Sequence, residues 1–115
     1  MRKMLWQNAG PARNEKSLTV ALEKLDALGA YLKGIGARNY HELTRVLETE
    51  QIWQVAKMMC TASLARKETR FGVYHHRTDY PETRAAYDGQ IVLWKTEQGI
   101  KTEFKKLNYD VIPSS

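Results

Sequence analysis

Residues 66–81 hold most of the side chains in this sequence that could do chemistry. The candidates for an interface or for contact with an anion are Arg66, Glu68, Arg70, His75, Arg77 and Asp79. Arginine presents a planar fork that pairs with a carboxylate through two hydrogen bonds. The arginines could therefore form a fixed network with the two acids, or receive an anion from outside. The simplest alternative is a solvated charged surface.

A catalytic interpretation of the same stretch is open. His75 or His76 could act as a general base, with Asp79 orienting it and Arg70 or Arg77 holding an anionic substrate. Alternate side chains share a face in an extended segment, which would group His75, Arg77 and Asp79 and turn His76 away. No motif marks this patch as an active site, and a structural network needs no substrate. We therefore predict no catalytic residue in this chain.

Metal and cofactor sites are also disfavoured by residue spacing. Three histidines with a single adjacent pair do not have the spacing of zinc ligands, and Cys60 is the only cysteine. A lone cysteine excludes an internal disulfide and a multi-cysteine cluster, and we expect its side chain to be buried. Gly34 and Gly36 stand without a preceding strand or a third glycine, so they predict a turn and not a dinucleotide-binding loop.

The stretch resembles a family signature, Arg-x-Glu-Ser/Thr-Arg-Gly-x-His-x-Arg-x-Asp-Tyr/Phe-Pro. That signature is typical of the C-terminal helical domain of succinate dehydrogenase and fumarate reductase flavoproteins, a family that includes L-aspartate oxidase and adenylylsulfate reductase. Arg70 and His75 stand two residues further apart than in the commonest form, a spacing closer to the adenylylsulfate reductase-like branch. The matching positions are Arg66, Glu68, Thr69, Arg70, His75, Arg77, Asp79, Tyr80 and Pro81, with looser similarity upstream at Met4, Leu5, Trp6, Gly10 and Arg13.

The resemblance implies a function for the chain. It would be the C-terminal domain of an FAD-dependent oxidoreductase, a structural and docking domain that is not active alone. FAD would be held elsewhere, because the glycine-rich fingerprint for it is absent from this sequence. The implied partners are the FAD-binding and capping domains of the same flavoprotein, and an iron-sulfur subunit.

Composition indicates an ordinary globular protein, expected to be a single domain over 1–115. The sequence has 115 residues, which is too short for a complete flavoenzyme. Of these residues, 43% are hydrophobic and 27% are charged, as in an ordinary soluble domain. It shows no membrane span and no signal peptide, so we expect a cytoplasmic protein.

The net charge of +5 leaves two alternatives open. One is a free-standing module that binds nucleic acid or another polyanion through the basic strip with Tyr74, Tyr80 and Trp94; it is disfavoured because no nucleic-acid motif is present. The other is a small anion-binding enzyme built on His75 and Arg77.

Apolar periodicity predicts three helices, at about 2–8, 15–33 and 40–68. Asn14 and Asn39 are expected N-caps for the second and third, with Glu42 reaching back to the cap backbone, and Gly34 ends the second. We expect Trp6 to anchor the core. Met58 and Met59 are expected to fill irregular gaps within it.

The remaining sequence predicts β structure. Gly72 is expected to break the third helix, and Pro81 favours an extended strip over 72–80. Alternating apolar residues on either side of Glu97 to Gly99 predict a hairpin at about 91–105, followed by a tail at 111–115. The predicted fold is mainly α, a three-helix antiparallel bundle with a C-terminal β-hairpin.

Overall fold

The structure, a computed structural model, describes residues 1–110; the predicted tail at 111–115 lies outside the described residues. Its helices are α1 (Arg2–Ala9), α2 (Glu15–Leu32) and α3 (Tyr40–Ala65), and its strands are β1 (Gly89–Thr96) and β2 (Gly99–Lys106). The predicted fold class, a three-helix antiparallel bundle with a C-terminal hairpin, is confirmed. Within residues 1–110, no helix is both long and apolar enough to cross a membrane.

Side-chain caps begin the two long helices at the predicted asparagines. The Asn14 side chain accepts a hydrogen bond from the Ser17 amide at 2.8 Å, and the Asn39 side chain accepts one from the Glu42 amide at 2.9 Å. These bonds satisfy amides that the first turn of a helix leaves without partners. The Glu42 carboxylate accepts from the Arg38 amide and not from the cap residue, one position further back than expected.

The core lies between α2 and α3. It is built from buried side chains at three- and four-residue steps on each helix, which are Leu18, Ala21 and Leu25 from α2 and Ala56 and Cys60 from α3, with Ala9 of α1 closing one end. The Trp53 ring of α3 lies against Gly29 of α2 and donates from Nε1 to the Leu25 carbonyl at 2.6 Å. Small residues at Ala56 and Gly29 therefore let the two helices approach closely.

Three apolar residues predicted in the core are at the surface. Trp6 is 72% exposed, Met58 41% and Met59 37%. The prediction was wrong because α1 turns Met4 and Leu5 to the core, while α3 faces α2 with Ala56, Cys60 and Ser63 and so turns the methionines away. Apolar surface is consequently left open on α3.

Several predicted boundaries shift in the structure. α2 ends at Leu32, before Gly34, and α3 ends at Ala65, short of both residue 68 and Gly72. Arg66 is already extended, because side chains from later in the sequence bind the last carbonyls of α3. Residues 72–80 are not a continuous extended strip, since Phe71–Val73 form a 3-10 turn and Tyr74 is left-handed.

The hairpin pairs β1 and β2 in antiparallel register, with Gly89 opposite Lys106 and Thr96 opposite Gly99. It is therefore slightly longer than the predicted 91–105. Gly99 has a φ of +124°, which glycine adopts without the steric cost of a side chain, and this closes the tight loop. The start of β1 follows the 3-10 turn Ala85–Tyr87 and lies against the C-terminal half of α3.

Candidate functional site

Arg77 lies at the centre of the predicted cluster and is completely buried. Its Nε and Nη2 donate to the two carboxylate oxygens of Asp79 at 2.8 and 2.7 Å. Its Nη1 donates to the carbonyls of Ser63 and Leu64 at 2.8 and 3.2 Å, at the C-terminal end of α3. A cation at this end complements the helix dipole and satisfies carbonyls that have no partner within the helix. The Arg77 side chain therefore caps the C-terminal end of α3.

Asp79 connects that cap to the start of α2. Its Oδ2 accepts a hydrogen bond from the Glu15 amide at 2.9 Å, in the first turn of α2. The hydrogen bonds from Arg77 hold the pKa of the Asp79 carboxyl down to about 2, below the ordinary value of 3.8, and the Glu15 amide contributes. The pair joins the end of α3 to the start of α2, through a hydrogen bond between Asp79 and Glu15, which are 64 positions apart in sequence.

Glu68 is the centre of a second set of contacts and is also fully buried. Arg70 donates to both of its oxygens, at 2.9 and 3.2 Å, Arg66 donates to Oε1, and the Arg84 amide donates to Oε2 at 2.9 Å. Burial alone would raise the pKa of this carboxyl, but the donors from Arg70, the Arg84 amide and Arg66 outweigh it and lower the pKa. Glu68 is a buried carboxylate whose charge is compensated inside the chain.

The two histidines separate as expected. His75 is buried and its Nε2 lies 3.0 Å from the Arg66 carbonyl, an acceptor, so that nitrogen carries the proton. Burial lowers the pKa of His75, and the nearby positive charges of Arg13, Arg66 and Arg77 lower it further, so the ring is neutral at pH 7. His76 instead stacks at a tilt on Phe71, with ring centroids 5.2 Å apart.

Thr69 joins the two halves of the cluster, a role that the sequence did not single out. Its hydroxyl accepts from the Arg77 amide at 2.9 Å and lies 2.8 Å from the Tyr80 carbonyl oxygen. The side chain is buried, and the Thr69 amide donates to the Glu82 carbonyl. Its place in the family signature was the one signal that could have found it.

The network leaves few groups free for chemistry. The six predicted residues come together at one end of the bundle, but Asp79 is bound by Arg77 and His75 by a carbonyl, so the orienting pair of a general base does not form. Among residues 1–110, no group of three or more potential metal ligands is close enough to hold an ion. Contact with another domain or an anion stays a prediction for these six residues.

A surface groove of about 610 Å³ lies beside this network. It runs between the C-terminal half of α3, the turn at 73–75 and the first residues of β1, and Arg13 projects into it. Sequence reasoning missed this groove, because its walls come from four segments far apart along the chain. Arg13 was noticed only through the resemblance.

Comparison with known proteins agrees with this geometry. The family described as fumarate reductase flavoprotein C-term matches residues 1–115. An uncharacterized FAD-dependent oxidoreductase of Methanocaldococcus jannaschii is 33% identical over 96% of this chain, and L-aspartate oxidase of Synechocystis is 27% identical over 79%. The structure of adenylylsulfate reductase from Archaeoglobus fulgidus superposes with a TM-score of 0.90, with 30% identity over 99% of the chain.

The match covers a small part of each of these proteins. This chain spans 20% of the Methanocaldococcus protein, 19% of the Synechocystis protein and 19% of the Archaeoglobus chain. The family match covers the whole sequence and the fold is the same, so the matching part of these longer proteins is their C-terminal domain. The chain belongs to the family of C-terminal domains of fumarate reductase flavoproteins.

Proposed function

We propose that this chain is the structural and docking domain of an FAD-dependent oxidoreductase and has no catalytic centre of its own. The main support is the match of the whole chain to a single domain family. That domain makes up about a fifth of the length of relatives described as FAD-dependent oxidoreductase or L-aspartate oxidase. FAD and the substrate would be held by the FAD-binding and capping domains, with an iron-sulfur subunit as a further partner. Cytoplasmic location is part of the same proposal.

The residues described here support a scaffold role. The lone Gly34 and Gly36 lie in the connection between α2 and α3, which offers no strand-to-helix cradle for a dinucleotide. The buried charges are paired with one another, and such pairs orient segments without being free to react. No residue of this chain is proposed to hold FAD.

The size of the surface supports docking. The accessible surface is 8684 Å², against about 6,500 Å² expected for a compact monomer of this mass. The radius of gyration is 16.8 Å, against about 13 Å for a compact domain of this length. Apolar side chains such as Trp6, Val55 and Phe71 are more than half exposed. A domain of this shape gains apolar burial by packing on a larger body.

The alternative of a free-standing polyanion-binding module is not supported. Three basic residues of the 66–81 stretch, Arg66, Arg70 and Arg77, are ion-paired to Glu68 or Asp79 inside the chain. A phosphate backbone would have to compete with those carboxylates.

The test is co-expression of this chain, carrying an affinity tag, with the FAD-binding and capping domains of the same flavoprotein, expressed together as a second polypeptide (the flavin-binding polypeptide). We expect a yellow complex of equal stoichiometry that releases FAD on denaturation and elutes as one species in size-exclusion chromatography. Recovery of the tagged chain without flavin, together with salt-sensitive retention of nucleic acid, would refute the proposal.

A further inference from the structure

The groove beside α3 combines apolar walls with positive charge. Met59 of α3, Val73 and Tyr74 of the turn, and Ile91 of β1 supply the apolar part. Arg13 and Arg66 supply the charge, and none of the lining residues, all of which lie within residues 1–110, carries a carboxylate. An occupant that matches this surface carries a negative charge next to apolar side chains.

Of the two arginines that line the groove, Arg13 is the one without a carboxylate partner among residues 1–110. Its Nε donates to the Gly10 carbonyl at 2.9 Å and its Nη1 to the Ser63 hydroxyl at 2.8 Å, so the guanidinium is held in place by neutral acceptors. Within residues 1–110 it forms no ion pair, whereas Arg66, on the same groove, is paired with Glu68. A partly buried guanidinium with a free edge favours a carboxylate from another polypeptide segment.

Tyr74 stands at the mouth of the groove in an unusual conformation. Its φ and ψ are 54° and 34°, the left-handed region, which costs a bulky side chain about 1 kcal/mol or more. Backbone hydrogen bonds between Arg70 and His75, at 2.7 and 3.2 Å, hold the turn in this conformation. The Tyr74 side chain is 89% exposed, so its ring is presented to a partner at a fixed position.

The apolar wall continues out of the groove along α3. Val55 is 59% exposed, Met58 41% and Met59 37%, and these residues share one side of the helix. The surface in excess of a compact monomer, about 2,000 Å², exceeds the roughly 600–1,500 Å² that domains of one protein bury against each other. The groove and this stripe are part of that exposed surface, and Met59 belongs to both, so they form one continuous apolar face.

We propose that the groove receives a segment of the flavin-binding part of the flavoprotein, with an Asp or Glu of that segment bound to Arg13 and its apolar neighbours packed on Met59, Tyr74 and Ile91. This inference rests on the proposed function and names the surface through which docking occurs.

The first arm of the test measures affinity for the purified flavin-binding polypeptide by isothermal titration calorimetry. Arg13→Gln is expected to weaken binding by about 30-fold and Tyr74→Asn by about tenfold, because each removes an anchor at the centre of the interface. Asparagine tolerates the left-handed conformation, so Tyr74→Asn keeps the fold. The matched controls, Lys16→Gln and Tyr31→Asn, replace exposed residues of α2 and are expected to bind within about twofold of wild type.

The second arm identifies the occupant. Tyr74→p-benzoylphenylalanine places a photo-crosslinker at the groove mouth, and mass spectrometry maps the crosslinked segment. We expect a segment with an Asp or Glu beside apolar residues; a segment without an acid would overturn the proposal.

The outcomes separate the two proposals. If wild type binds the flavin-binding polypeptide and both groove variants bind equally well, the groove assignment fails and the proposed function stands. If wild type does not bind it, both fail. A dimer of this chain alone that Tyr74→Asn dissociates would assign the groove to a second copy and overturn the inference.

Discussion

Replacing Asp79 by asparagine tests the connection between α2 and α3. The substitution keeps the size of the side chain but leaves the buried Arg77 guanidinium without its counter-charge. Breaking a buried ion pair costs about 3–5 kcal/mol, and the side chain of Asp79 is 27% exposed, which reduces the effect to about 2–3 kcal/mol. The assay is urea unfolding followed by far-ultraviolet circular dichroism at pH 7.

The pH dependence gives an independent check of the same pair. Because Arg77 lowers the pKa of Asp79 to about 2, the stabilisation is fully present above the ordinary value of 3.8 and is lost as the pH falls toward 2. This difference in pKa corresponds to a contribution of up to about 2.4 kcal/mol to the free energy of unfolding, which solvent screening of the partly exposed carboxyl reduces to about 1–2 kcal/mol. The difference between wild type and Asp79→Asn should therefore shrink by about that amount between pH 5 and pH 2.

A surface pair provides the control. Asp26 pairs with Lys57, but its side chain is 60% exposed, so Asp26→Asn is expected to change stability by less than about 0.5 kcal/mol. If Asp79→Asn costs no more than this control, or if its cost stays the same down to pH 2, then the Arg77–Asp79 pair does not join the helices as described.

Three further predictions concern the core and the second buried acid. Gly29→Ala would place a methyl group against the Trp53 ring, closer than van der Waals contact allows, and we expect a loss of about 1–3 kcal/mol in the free energy of unfolding measured by heat or urea, with a neutral result arguing against the close helix contact. Glu68→Gln removes the charge that compensates two arginines in a buried site, so we expect a loss of about 3 kcal/mol, and an unchanged unfolding midpoint would contradict the network. Cys60 is buried and burial raises its thiol pKa, so a disulfide reagent should react slowly with the native chain and rapidly in urea; rapid native reaction would show that the core is open.

Local signals in the sequence were enough to predict the helices. Asn14 and Asn39 are polar residues placed directly before apolar periodicity, and both cap the helices as expected. The hairpin followed from alternating residues on either side of Glu97 to Gly99, and the structure adds that Gly99 has a positive φ. These features depend on neighbours within a few residues, which a single sequence displays directly.

The end of α3 and the buried network depend on contacts between distant segments. Gly72 looked like the helix breaker, but α3 stops at Ala65 because Arg77 binds the carbonyls of Ser63 and Leu64. The type and order of the charged residues predicted a network, but a segment in which six of sixteen residues are charged gave no sign that those residues would be buried. The resemblance supplied the family, and only the folded chain shows that Asp79 reaches the start of α2.

The misplaced apolar residues have a common explanation. Trp6, Met58 and Met59 were assigned to the core because an isolated globular domain buries such side chains. All three are exposed in the structure. Under the proposed docking these residues would pack on a larger body, and the pattern along one sequence does not say which apolar face packs internally and which would pack on a partner.

The most direct test of the central claim is the ratio of FAD to tagged chain in the co-purified complex, read from flavin absorbance after denaturation. Docking on a flavin-binding body predicts one FAD for each copy of this chain, with the complex surviving size-exclusion chromatography. A chain that elutes alone, without flavin, in the presence of folded and FAD-loaded flavin-binding polypeptide would contradict it.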